Sequence, residues 1–173
     1  MKKNFWRGVE GVEFLWHGEW ADPELRYGNI VANCHTVEDE LHYDASEELP
    51  EDDAYGDEFS KWCQEHREDV IKAIYENQTA ESKRYNFYDA LDGGEIVYED
   101  PIVINGLFIN EVRLDEECRM WIRTVDDWWH ELEQVNVYDS RRREFLRYYG
   151  GAQTEIELIN AHAAQCYGEW LSN

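Results

Sequence analysis

The chemistry open to this 173-residue chain is mainly that of carboxylates: 39 Asp and Glu stand against 16 Lys and Arg, a formal net charge of −23. The densest stretch, Thr36 to Glu58, holds Glu38, Asp39, Glu40, Asp44, Glu47, Glu48, Glu51, Asp52, Asp53, Asp57 and Glu58 and no basic residue. Val37, Leu41, Ala45 and Leu49 recur every four residues through it. That spacing predicts a helix with Thr36 as N-cap, running to Leu49 and stopped by Pro50. At about 100° per residue, Asp39, Glu40, Asp44 and Glu47 fall away from the apolar stripe, and Glu40, Asp44 and Glu47 form an unpaired row. Like charges at this spacing repel, so a helix shaped for stability alone would intersperse Lys or Arg. Glu40 to Asp44 advances about 6 Å, near two phosphate steps of B-DNA, so the row can present a phosphate-like array to a cationic surface.

Asp126-Asp127-Trp128-Trp129 is the second candidate contact. In an extended segment adjacent Trp residues point to opposite faces, so either one is an exposed interface anchor ringed by carboxylates or both pack beneath the C-terminal helices. Of the four cysteines, Cys63 pairs at helical spacing with His66 and Cys166 with His162, together a possible zinc set of two sulfurs and two nitrogens. The scattered cysteines otherwise read as reduced, buried thiols, and no structural metal or disulfide is expected. The loop Glu51 to Glu58 lacks EF-hand ligand spacing. There is no GxxxxGK[ST], no GxGxxG and no HExxH. The sequence therefore nominates neither a cofactor nor a reaction, and the expectation is a protein that is not an enzyme.

The elements that must position these groups follow a run of strands, a run of helices, then strands and helices again. Val12–His17, Leu25–Tyr27 and Ile30–Ala32 read as short strands, the last two joined at Gly28-Asn29. A second helix is expected from Asp57 to Asn77, and a mixed connection over 78–94. Glu95–Tyr98, Ile102–Ile104, Leu107–Leu114 and Arg119–Val125 form an antiparallel meander turning at Asn105-Gly106. Two C-terminal helices close the chain, one from Asp139 or Ser140 to Tyr149 and ended by Gly150-Gly151, one from Thr154 to Leu171. Without βαβ alternation the fold class is α+β. The organisation is an acidic α+β half at 1–80 and a meander-plus-helices half at 81–173, or one domain over 1–173.

The charge sits in two blocks. Residues 8–58 hold sixteen acids against Arg26 alone, and residues 92–134 hold twelve acids against three bases. Direct binding to nucleic acid or an anionic membrane is disfavoured, since both select cations. At 43% hydrophobic and 14% aromatic residues the chain has ample material for a core, which argues against disorder. Confinement of the excess to two blocks argues against halophily. No apolar run approaches a membrane span and Met1 to Gly8 lacks a secretion signal, so a soluble cytoplasmic protein is expected.

This small, acidic, aromatic-rich profile resembles the DNA-mimic inhibitors of mobile elements: ArdA-type antirestriction proteins and acidic anti-CRISPR proteins. The segment Phe14-Leu15-Trp16-His17-Gly18-Glu19-Trp20-Ala21-Asp22-Pro23-Glu24-Leu25 is similar to proteins of phages and conjugative elements. The resemblance implies an inhibitor that occupies the DNA or RNA channel of a basic partner, a Cas effector or restriction enzyme. An immunity protein or antitoxin that plugs one basic toxin is the alternative, and an enzyme of unknown type the third.

Overall fold

The computed structural model describes residues 5–50, 56–104, 106–117, 119–125, 129–131 and 140–172, with 130, 131 and 140–154 described by backbone path alone. Helices and antiparallel strands make up an α+β protein. The chain divides into two compact units, Met1–Ser82 and Lys83–Asn173.

In the first unit, β1 (Val12–Leu15), β2 (Glu24–Tyr27) and β3 (Ile30–Asn33) form a meander in the order β1-β2-β3. Tyr27 pairs with Ile30 across a tight turn whose Gly28 takes φ 60°, a left-handed conformation that glycine adopts without steric cost. Helix α1 (Cys34–Ala45) follows β3 directly. Its cap is Asn33, not Thr36: the Asn33 side-chain oxygen accepts from the amides of His35 (2.9 Å) and Thr36 (3.2 Å). Thr36 lies inside the first turn and donates its hydroxyl to the Asn33 carbonyl. Val37, Leu41 and Ala45 are fully buried, as their spacing predicts. Helical bonding loosens after Ala45, and Leu49 still packs on the core.

The helix expected over 57–77 is two helices, α2 (Asp57–Glu65) and α3 (Arg67–Glu76), broken at His66 (φ −114°, ψ 43°). The His66 ring stacks on Trp62, and its Nδ1 donates to the Trp62 carbonyl at 2.8 Å. The same carbonyl also accepts the His66 backbone amide at 2.9 Å. Phe59, Trp62, Cys63, Val70, Ala73 and Ile74 complete the core against the sheet and α1.

Helix α4 (Ala80–Leu91) replaces the expected mixed connection. Thr79 Oγ1 accepts from the Ser82 amide, an N-cap bond, and Phe87 and Leu91 are the large apolar anchors it buries in the second unit's core. There β4 (Glu95–Ile104), β5 (Leu107–Leu114), β6 (Met120–Thr124) and β7 (Trp129–Glu131) form an antiparallel sheet in chain order. Strand β4 runs through Pro101 as one element with a register shift between Val97 and Ile102. Proline is tolerated there because β4 is an edge strand.

The C-terminal segment is a single helix, α5 (Ser140–Ser172), with Gly150 and Gly151 inside it. Glycine weakens a helix interior by only about 1 kcal/mol, and tertiary packing outweighs that preference. Leu158, Ile159 and His162 of α5 are buried beside Ile96, Tyr98, Ile109, Val112 and Ile122 of the sheet. Among the described residues no helix is long and apolar enough to cross a membrane.

Candidate functional site

The acidic helix is held as its sequence requires: one stripe anchors it and the opposite face is open. Asp39, Asp44 and Glu47 are exposed, and no ion pair or hydrogen bond joins any of them to a described residue. Exposed His35 and Tyr43 lie on the same side. Like-charged groups with no counter-charge on a rigid frame attract a cationic surface over a Debye length, about 8 Å at physiological salt.

Three other acids of the block are engaged internally. Glu38 meets the Arg7 guanidinium at 3.4 Å, which also binds Ser60 Oγ and covers the Phe59 ring. Glu48 accepts from Trp62 Nε1 at 3.0 Å and stands 3.5 Å from His66 Nε2, tying the segment after α1 to α2. Glu40, expected in an unpaired row, is half-buried and accepts from Asn77 Nδ2 at 2.5 Å. Burial, a hydrogen bond shared with Glu76 and the charges of Glu76 and Asp44 hold its carboxyl above the usual range, against the Asn77 amide. The expected helical row is therefore not kept: Glu40 serves the contact between α1 and α3, Asp39 and Asp44 stay exposed on α1, and Glu47 is exposed in the turn beyond its end.

Asp57 and Glu58 are exposed in the first turn of α2, where the helix dipole favours acids. Glu51, Asp52, Asp53, Asp126, Asp127 and Trp128 lie outside the described residues. Trp129 is 37% exposed on the open face of the second sheet, with the Arg113 guanidinium 4.8 Å and that of Arg123 5.9 Å from its ring centroid. Arg113 pairs with Glu95 and Glu111, Arg123 with Glu111, and Arg119 with Asp115 and Glu117. The three arginines of the second acidic block are thus all paired, with four of its twelve acids, whereas the outer face of α1 carries no Lys or Arg.

Of the possible zinc set, Cys63 and His66 lie in the first unit and His162 and Cys166 in the second, and no group of three or more His, Cys, Asp or Glu among the described residues is placed to hold a metal ion. Cys63 is buried in the first core, where burial pushes its thiol up to about 12. In the second unit His162 Nδ1 stands 2.9 Å from the Tyr98 hydroxyl and its Nε2 3.5 Å from Cys166 Sγ. Burial lowers the imidazole and raises the thiol, with Glu169 raising both, so this chain is held neutral rather than as a thiolate–imidazolium pair.

Sequence reasoning missed the exposed aromatics of the first unit. Phe14 is 44%, Trp16 63% and Trp20 98% exposed. Phe14 within β1 and Trp16 just past its end alternate with Val12, a period-two signal available in the sequence, but unlike Val12 they are exposed. No protein-family model, curated protein or solved structure matches the chain.

Proposed function

We propose that the chain is an inhibitor encoded by a phage or mobile element, which binds the cationic nucleic-acid site of a host defence enzyme by acidic mimicry. The observation that carries this reading is the open acidic face of α1 and the turn after it, where Asp39 and Asp44 on the helix and Glu47 in the turn are exposed with no ion pair to a described residue. Phosphate-binding clefts are lined with Lys and Arg, and these carboxylates offer them the same charge on a fixed scaffold. A guide-loaded Cas effector and a type I restriction enzyme are the probes. The protein should compete with duplex DNA for one of them, associating more slowly as salt rises from about 50 to 200 mM. Combining Asp39→Asn, Asp44→Asn and Glu47→Gln should abolish competition and leave the fold intact. A salt-independent association rate, or DNA and protein bound together, would sink mimicry.

A second reading, an immunity protein plugging one toxin, is favoured by Phe14, Trp16 and Trp20, whose exposed rings suit an apolar anchor. It predicts one cognate partner and affinity that depends on Trp16 and Trp20 more than on salt.

A further inference from the structure

A groove of about 1060 Å³ runs along the second unit between the edge strand β4 and the C-terminal part of α5. Consecutive residues from Glu99 to Val103 line it, taking in both faces of the strand, so it is the strand edge that opens into the groove. The opposite wall sets the small residues Ala161, Ala164 and Gly168 beside the polar Gln165, Glu169 and Ser172. Every charged residue lining it is acidic: Glu99, Asp100 and Glu169, none of them ion-paired to a described residue.

Gly168 adds a separate observation. Glycine weakens a helix relative to alanine, and here nothing lies within 4 Å of where a Cβ would stand. No described contact of the unit requires a glycine at that position. The position leaves room for another backbone to approach the helix closely.

We propose that this groove is a docking site for an extended, Lys- or Arg-bearing segment of a partner protein, laid along the β4 edge with its backbone against Gly168. Val97 and Val103, both more than half exposed, would receive its apolar side chains, and the three carboxylates its cations. Pro101 and the register shift divide the strand, so side chains rather than a continuous ladder hold the guest. This surface is independent of α1 and of the mimicry reading.

The probe is a fluorescent peptide alternating Lys and Val, titrated against the full chain at about 0.15 M NaCl. Saturable binding is expected, weakened at least tenfold by Ala164→Phe and by Glu99→Gln with Asp100→Asn. Asp39→Asn with Asp44→Asn should leave it unchanged, which separates docking from general attraction to an acidic protein. Gly168→Ala should raise the melting temperature while weakening the peptide. Binding indifferent to Ala164→Phe, or Gly168→Ala that stabilises without weakening, would overturn the proposal. So would preference for a helical Lys-bearing peptide, or self-association of the chain abolished by the same variants.

Discussion

Asn77, at the C-cap of α3, donates its side-chain amide to the Glu40 carboxylate in the middle of α1 at 2.5 Å, and to the Ala73 carbonyl at 2.8 Å. One amide thereby closes the end of a helix and fixes its distance from the acidic one. The carboxylate it holds is half-buried beside Glu76 and Asp44, and the folded chain keeps its proton to a higher pH than the unfolded chain does. The stability Glu40 contributes is therefore present at low pH and lost as pH rises through the folded-state value.

Glu40→Gln keeps an acceptor for Asn77 and removes the charge. It should raise the melting temperature at pH 7 by about 1–4 °C, as a few tenths of a kcal/mol does in a unit of this size. The gain should vanish below the ordinary carboxyl value of 4.5. Thermal melts of both proteins across pH 4–8 measure it, and a destabilised variant at pH 7 would show that the carboxylate is needed as a charge.

Asn33→Ala removes the acceptor for the His35 and Thr36 amides. It should cost about 1 kcal/mol, the usual worth of an N-cap, and lower the melting temperature by about 4–8 °C. Thr36→Val, which keeps the shape at a position that is not the cap, should cost less. The reverse order would restore Thr36 as the cap.

The His162 imidazole is buried against Phe87 and Tyr98, and its protonation is depressed below the usual 6.5. Tyr98 and Cys166 face it as neutral groups and Glu169 opposes the shift by its charge. An unfolded chain binds this proton more readily, so stability is complete above pH 6.5 and falls as pH drops below it. Amide exchange in α5 should accelerate between pH 7 and pH 5.5 relative to that in α1. His162→Gln should flatten the difference; exchange that stays pH-sensitive in this variant, after correction for intrinsic rates, would place the cause elsewhere.

Burial holds the Cys34 and Cys63 thiols at about 12. Both should resist a thiol-specific disulfide reagent in the native protein at pH 8 and react once urea unfolds it. Mass mapping of the labelled peptides reads this directly. EDTA and reductant should leave the melting temperature nearly unchanged.

The apolar recurrence at Val37, Leu41 and Ala45 makes α1 legible from residue spacing alone, and with it the outward placement of Asp39 and Asp44, though not the helix's end before Glu47. What periodicity does not carry is a partner from another helix. Asn77 reaches Glu40 and Trp62 reaches Glu48 over long sequence separations, so two acids that look alike on a helical projection differ in availability. The break at His66, where the ring also bonds the Trp62 carbonyl, is marked by no hydrophobic pattern. Helix α4 escapes notice because its buried anchors Phe87 and Leu91 are too few to set a period. The continuity of α5 through two glycines reflects tertiary anchoring beyond them, where local preference points to a stop.

Proline in the middle of β4 bears on how this protein behaves when crowded. Two copies meeting edge to edge would each need an unbroken run of amide donors, and Pro101 withholds one where the register already slips. Glu99 and Asp100 beside it would face their own kind across such a seam. The strand thus rejects its twin, and a chain with an open sheet edge gains a barrier against growing into fibrils.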